Sequence, residues 1–178
     1  MRSIRIPADR VGTLIGKGGE TKKTLQEISG IKLDIDTEEG EVLIHDDVEL
    51  EDPVMALKIQ DVIKAVGRGF NPEKAMRLFD DDEYLEVVDL KEFVGERSNQ
   101  ITRIRGRLIG KDGKTRRIIE DLTGCDMMIY GNTVSLIGNS ISLPVAKHAV
   151  ELSEHATVYH YLESQRPRLR IAEMGFDL

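Results

Sequence analysis

The chain repeats itself. The stretch LIGKGGETKK at Leu14–Lys23 returns as LIGKDGKTRR at Leu108–Arg117, 94 residues later. At that offset Gly12, Leu14, Ile15, Gly16, Lys17, Gly19, Thr21, Gly30 and Ile35 meet identical residues between Gly106 and Ile129. Lys22-Lys23 becomes Arg116-Arg117, and Glu27-Ile28-Ser29 becomes Asp121-Leu122-Thr123. A solenoid repeats every 20–50 residues or so, so this longer period means two similar domains. With 178 residues, 40% of them hydrophobic, the chain can give each domain a core of its own.

Each copy predicts the same order of elements. Ser3–Pro7 alternates like a strand, Ala8–Ile15 suits a short helix, and Gly16–Gly19 breaks it. Glu20–Ser29 reads as a second helix with Gly30 as its stop. Ile31–Ile35 alternates, and Val42–Ile44 follows the Glu39-Gly40 turn as a further strand. Asp52-Pro53 opens a longer helix whose apolar face includes Leu57, Ile59, Val62 and Ile63. In the second copy the strand is Tyr84–Leu90, and a short extra helix near Lys91–Val94 precedes the helix ending at Ile109. The loop follows, then a helix to Thr123, strands at Asp126–Tyr130 and Thr133–Ile137, and a helix from about Ser142 that runs on toward Gln165. The boundaries are 1–70 for the first domain, 71–82 for a connector with a helical turn at Pro72 and an acidic hinge, and 83–178 for the second domain with a C-terminal helical extension. The last stretch, from Arg166 to Leu178, is basic and then apolar; it reads as a flexible end, with an extension of the RNA-binding surface as the alternative.

This order, β-α-α-β-β-α in tandem with Gly-x-x-Gly between the first two helices, resembles the KH domain of eukaryotic-type topology, an α+β fold. VGTLIGKGGETKKTLQEISGIKLDI carries the resemblance across both helices and the next strand, and the motif recurs. The bacterial-type KH arrangement would place the first strand after the loop-flanking helices, whereas Ser3–Pro7 precedes them. The tandem pair with its acidic connector is similar to the archaeal member of the partner-of-NOB family of small-ribosomal-subunit assembly factors. That resemblance implies binding of single-stranded RNA, at the 3′ region of small-subunit ribosomal RNA. The protein partners it implies are the partner-of-NOB endonuclease and the α subunit of archaeal initiation factor 2.

The residues suit that role chemically. Paired glycines let the chain turn sharply and leave no side chain to block a ligand's approach. The helix that follows points free N–H groups and its positive dipole end at the same spot. In KH domains this loop clamps the backbone of about four nucleotides. The candidate RNA-binding residues are Gly12, Ile15, Gly16, Lys17, Gly18, Gly19, Lys22 and Ile35 in the first unit. In the second they are Arg105, Arg107, Ile109, Gly110, Lys111, Asp112, Gly113, Lys114, Arg117 and Ile129. The resemblance also puts Val11, Ile28 and Leu122 on an aliphatic groove floor, and the chain's 4% aromatic content and lack of Trp fit such a floor better than a stacking platform.

The net charge of −7 argues against nucleic acid until it is resolved by region. Residues 1–70 carry −4, residues 71–90 carry −5 and residues 91–178 carry +2. Screening acts over about 8 Å at physiological salt, so a phosphate feels the local patch rather than the total. Arg103–Arg117 is locally +6 and Arg10–Lys23 +3, which makes the second unit the stronger electrostatic site. Asp112 opposes this with a carboxylate beside the phosphate path.

Other chemistries fit poorly. A P-loop needs four residues between its glycines and a hydroxyl after Gly-Lys; Gly12–Gly18 has three and a glycine, and Gly106–Asp112 fails in the same way. The dinucleotide pattern fails at Thr21. His45, His148, His155 and His160 lack partners at metal spacing, and the single Cys125, aligned with Ile31, reads as a buried residue. No catalytic constellation, metal site or cofactor is expected. No stretch nears the ~18 apolar residues of a membrane span and no signal-peptide pattern opens the chain, so the expectation is a soluble, cytoplasmic protein. Two further functions are open: a protein–protein adaptor whose KH folds bind RNA weakly or through one unit, and an RNA-processing component. The second lacks chain length for a further module.

Overall fold

A computed structural model describes residues 1–47, 52–95, 97–152 and 155–174. The chain divides into two compact units, Met1–Asp81 and Asp82–Leu178.

In the first unit β1 (Arg2–Arg5) leads into α1 (Ala8–Ile15), a single 3-10 turn at Lys17–Gly19, and α2 (Glu20–Ser29). Then come β2 (Lys32–Ile35), β3 (Glu41–His45) and α3 (Met55–Gly67). The sheet is antiparallel throughout, in the order β1-β3-β2, with Arg5 opposite Glu41 and Ile35 opposite Val42. The first strand therefore precedes the helices and pairs with the last, as the eukaryotic-type topology requires. Leu14 of α1, Leu25 of α2, Leu33 and Ile44 of the sheet, and Ile59, Val62 and Ile63 of α3 are all buried. Their spacing is the reason the elements form where they do: period 2 in the strands, three-and-four in the helices.

The segment after α3 is part of this unit. Asn71 caps α4 (Pro72–Ala75), accepting from the Glu73 N–H at 2.9 Å, with proline at the first helical position. A 3-10 turn at Met76–Phe79 follows and packs back on α3. Ala75 and Leu78 are buried, and Lys58 of α3 donates to the Phe79 carbonyl at 2.9 Å and pairs with Asp81. The composition of 71–82 reads as a connector, but two apolar side chains and one lysine fasten it to α3, and the division of the chain falls at Asp81–Asp82.

The second unit repeats the plan with additions. β4 (Tyr84–Asp89), α5 (Lys91–Val94), α6 (Ser98–Ile109), a 3-10 turn at Lys111–Gly113 and α7 (Lys114–Thr123) lead to β5 (Asp126–Tyr130), β6 (Thr133–Gly138) and α8 (Ser142–Leu152). The sheet order is β4-β6-β5, again antiparallel. The expected helix toward Gln165 is described as α8 and as α9 (His155–Ser164), which lies against both α7 and α8; residues 153–154 between them lie outside the described residues.

The basic end differs from the expected flexible tail. Arg166–Met174 forms α10, with Pro167 in its first turn, where a proline is tolerated. Leu169 is 4% exposed and belongs to the same core as Ile119 of α7 and Val158 and Leu162 of α9. One buried leucine is too short a periodic signal to read from sequence, yet it docks the helix. Residues 175–178 of that expected tail lie outside the described residues.

If the segment after α3 belongs to the first unit, Leu78→Ala will behave as a core truncation. Leu78 is 2% exposed, so the variant should lose about 2–5 kcal/mol. Denaturant unfolding followed by amide signals of the first unit checks this; an unchanged midpoint would mark the segment as a loose connector.

Candidate nucleic-acid interface

The two helix–turn–helix corners are built alike. Helix α1 stops because Gly16 takes φ 78, ψ 173, a region open essentially only to glycine. A Cβ there would lie 2.2 Å from Thr21 Oγ1 and 2.8 Å from the Thr21 nitrogen. Gly110 has φ 71, ψ 176, and its Cβ would lie 2.4 Å from Thr115 Oγ1. The first glycine of each hinge is thus fixed by contact: the second residue of the next helix presses against it. The remaining hinge glycines are different. Gly18, Gly19 and Gly113 have positive φ with no neighbour that would crowd a Cβ, so their requirement is conformational. Asp112, aligned with Gly18, has φ 55, and it is the one non-glycine with positive φ among the described residues. Aspartate tolerates that region better than most side chains.

Both α2 and α7 begin behind a left-handed glycine, and no side chain caps either N-terminus. The first N–H of each helix donates to the carbonyl of the hinge lysine, Glu20 to Lys17 and Lys114 to Lys111, and the positive end of the helix dipole points at the hinge. Lys17 and Lys111 are exposed at the tips. Such a corner binds an anion through backbone amides and adds one mobile ammonium.

The surroundings of each hinge continue toward the sheet. Ile15 and Ile35 are half-buried in the first unit, Ile109 is 40% exposed and Ile129 half-buried in the second. Gly12 and Gly106 are exposed on the first helix, and a methyl at either position would meet nothing within 4 Å, so that helix face is open to a ligand. Val11, read as groove floor from the resemblance, is instead 3% exposed and part of the core. Ile28 is 44% exposed, while its counterpart Leu122 packs on the core of the second unit.

A polar tie missed in the sequence sets the outer strand in both copies. Gln26 Oε1 accepts from the Leu33 N–H at 2.8 Å, and Glu120 Oε1 accepts from the Met127 N–H at 3.0 Å. Ser29 and Thr123 make a second repeated tie: each donates to the carbonyl four residues back and accepts from the N–H two residues on. Both pairs obey the 94-residue offset, so the repeat itself was the signal that could have found them.

Not all the basic residues are free for a ligand. Arg10 donates to the Val66 and Phe70 carbonyls at 2.9 and 2.8 Å, closing the end of α3. Lys23 pairs with Glu27 at 3.7 Å. Arg117 turns back onto the hinge, donating to the Asp112 carbonyl and, at 3.5 Å, to that of Gly113. Arg116 pairs with Glu120 at 3.5 Å. Arg105 is half-buried and its Nε has no partner. Arg107, Lys111 and Lys114 are exposed in the second unit, while Lys22 is half-buried in the first. An open cavity of about 710 Å³ adjoins the first hinge; Lys17 shares it with Glu20 and with Glu73 of α4. The first hinge is therefore flanked by two carboxylates and has lost Arg10, and the second keeps the larger positive surface.

Among the described residues no three His, Cys, Asp or Glu side chains converge as a metal site would require. His45 hydrogen-bonds Asp34 at 2.8 Å, and that bond holds the Asp34 carboxyl below its ordinary range. His148 lies 3.2 Å from Glu151. Cys125 is buried with Sγ 3.4 Å from Ser142 Oγ. No described helix is long and apolar enough to cross a membrane.

Comparison with known proteins gives matching results. Residues 84–167 match the second KH domain of the PNO1 type, a eukaryotic-type (type I) KH domain, and residues 1–51 match the general KH domain. A KH domain-containing protein of Methanocaldococcus jannaschii is 44% identical over 173 residues, 95% of this chain and 75% of the relative. Dim2p of Pyrococcus horikoshii superposes with a TM-score of 0.84 at 44% identity, covering 92% of this chain and 98% of that one. A chain from the a/eIF2alpha–aDim2p–rRNA complex of the same organism gives 0.87 at 42% identity, covering 93% of each. A protein of unknown function from Aeropyrum pernix gives 0.88 at 35% identity, covering 97% and 92%.

The hinge glycines should differ in cost. Gly110→Ala combines a forbidden backbone region with a collision and should destabilise the second unit by about 3 kcal/mol. Gly113→Ala meets open space in a left-handed conformation and should cost only about 1 kcal/mol. Denaturant unfolding of the two variants tests the ranking, which equal losses would contradict.

Proposed function

This chain belongs to the family of archaeal, PNO1-type tandem KH proteins that includes Dim2p, and from that premise we propose that it binds the 3′ region of small-subunit ribosomal RNA as a ribosome assembly factor. The observation that carries the reading is the hinge at Lys111–Gly113, with no side-chain cap on the positive end of α7 and Lys111 exposed at its tip. A single strand can lay its sugar-phosphate backbone along that hinge while splayed bases meet the aliphatic surface of Ile109 and Ile129. A duplex would hide the base edges from that surface. No step of covalent chemistry is assigned to the protein: it acts by binding and holding.

Partners follow from the same premise. A relative of this chain stands in a complex with a/eIF2alpha and rRNA, which supports both as partners here. The partner-of-NOB endonuclease, which would cleave near the bound 3′ region, is the further partner we propose. A role in assembly of the small subunit supports a cytoplasmic location. The first hinge, with Glu20 and Glu73 beside Lys17 and Arg10 engaged elsewhere, favours a division of labour in which the second unit carries most of the RNA affinity.

Titration with a single strand of small-subunit rRNA 3′ sequence over a range of salt tests the reading. Log affinity should fall with log salt at about −0.7 per phosphate neutralised. Lys111→Asp, which makes the hinge Gly-Asp-Asp-Gly, should weaken binding about tenfold or more, since it reverses a charge and shortens the slope. Lys17→Asp should cost less. A salt-independent interaction, or Lys111→Asp binding like the wild type, would instead favour a protein adaptor.

A further inference from the structure

Strand β4 stands at the edge of its sheet, with β6 on one side and no strand on the other among the described residues. The Leu90 N–H donates to the Asn132 carbonyl at 2.8 Å. Bonded pairs alternate along an antiparallel ladder, so Val88 opposite Val134 and Glu86 opposite Leu136 also bond toward β6. The N–H and C=O groups of Leu85 and Val87 therefore point outward, and among the described residues nothing pairs with them. The side chains of Tyr84 and Val87 are 49% and 40% exposed. A bare strand edge is a template for another strand, and proteins blunt it with short length, charge or proline. The edge strand β1 is guarded in this way, with four residues of which two are arginines. β4 has six residues and neither proline nor a basic side chain.

The surface beside this edge is shaped to receive side chains. An open hollow of about 430 Å³ lies between Tyr84 and Glu86 of β4 and Leu143, Pro144 and Lys147 of α8. Tyr84 and Glu86 share a face of the strand with the core residue Val88. A strand laid along β4 would turn every second side chain toward that hollow, where Leu143 and Pro144 offer apolar surface. The charge around it is negative. Asp82, Glu83, Glu86, Asp89 and Glu92 lie within eleven residues, against Lys91 alone. Lys147 does not reverse the sign: its Nζ is 2.7 Å from Glu86 Oε1, and Glu86 first, then Glu151 and Glu92, hold the ammonium above its ordinary pKa. Like charge thus disfavours a polynucleotide here. It also disfavours a second copy of this chain, because two β4 edges brought together would join their acids. A positively charged segment meets neither objection.

We propose that the outer edge of β4 takes up an extended, lysine- or arginine-rich segment of a protein partner as an added strand. Main-chain bonds to Leu85 and Val87 supply the affinity, and the hollow and the surrounding acids select alternating apolar and basic side chains. The site is at the opposite sheet edge from β5, which carries Ile129. It is independent of the RNA reading.

The test adds to the full chain a synthetic peptide of about eight residues, valine alternating with lysine, long enough to match the strand. The peptide should bind, and amide hydrogen exchange should slow at Leu85 and Val87. The same peptide N-methylated along its backbone keeps its charge but loses its donors, and should bind about tenfold more weakly or worse. A valine–glutamate peptide should not bind. Val87→Pro removes an outward N–H at a place where edge strands accept proline; it should also cost about tenfold, with affinity for single-stranded RNA unchanged. Circular dichroism melting checks the fold of that variant, and the N-methylated peptide puts the same question to the unaltered protein. Absence of binding by the basic peptide overturns the proposal. Equal binding of its N-methylated form overturns it too, since attraction would then be by charge alone. Val87→Pro losing RNA affinity while binding the peptide as before would give the edge to RNA. Sedimentation showing a peptide-free dimer that Val87→Pro dissociates would give it to a second copy.

Discussion

The close approach of a glycine to a threonine organises both units. At Gly16 and Thr21, and again at Gly110 and Thr115, the second helix presses on the first with no room for a Cβ. That contact sets the angle at which the two helices leave the hinge. It also turns their apolar faces onto one sheet, where Leu14 and Leu25, or Leu108 and Ile119, are fully buried. Three of the four residues between one helix and the next have positive φ, and a helix that begins behind a left-handed glycine has no N-cap side chain. Its first amide donates to the carbonyl of the hinge lysine, and its positive dipole end faces the hinge without a capping side chain. The packing that builds the core and the uncapped dipole end that attracts an anion have the same origin.

The copies share this frame and differ in what surrounds it. The ties from Gln26 and Glu120 to the outer strand, and those from Ser29 and Thr123 at the helix end, recur in both. The charges do not. Arg10 caps the end of α3, whereas Ile104 stands at the same position in the second unit and packs on its core. After the last KH helix the chain also behaves differently. In the first unit it folds back on α3 and brings Glu73 beside the hinge cavity. In the second it adds α9 and α10 over α7, covering the face that Thr24 and Ile28 leave more open in α2. Similar hinges thus sit in unlike electrostatic settings.

Much of this was legible in the residues. Helices α1, α2, α5 and α7 end where a glycine, a change of period or a turn residue says they should, and the strand order follows from the eukaryotic-type pattern that the repeat carries. The misreadings have specific causes. Val11 is one of several apolar residues on an eight-residue helix, and periodicity alone does not say which face meets the core and which meets a groove. Helix α10 hangs on Leu169 in a run of arginines, so its local composition reads as a solvated end. The segment 71–82 reads as an acidic connector because its two anchoring side chains, Ala75 and Leu78, are outnumbered by polar ones. Counting arginines along the chain also overstated the charge available at the hinges, because Arg10 and Arg117 donate to backbone carbonyls.

The sequence by itself determined the duplication, the strand and helix order, and the two glycine hinges with a lysine at each tip. These depend on short-range steric rules, which act on neighbouring residues and so leave a local pattern. Which arginines face solvent, which strand amides are tied down, and what covers the outer face of α2 or α7 was decided only by tertiary structure. Those outcomes join residues tens of positions apart, such as Arg10 to Phe70 or Leu169 to Ile119. A side chain's hydrogen-bond partners and its exposure are set by the surface it meets, and no window along the chain contains that surface.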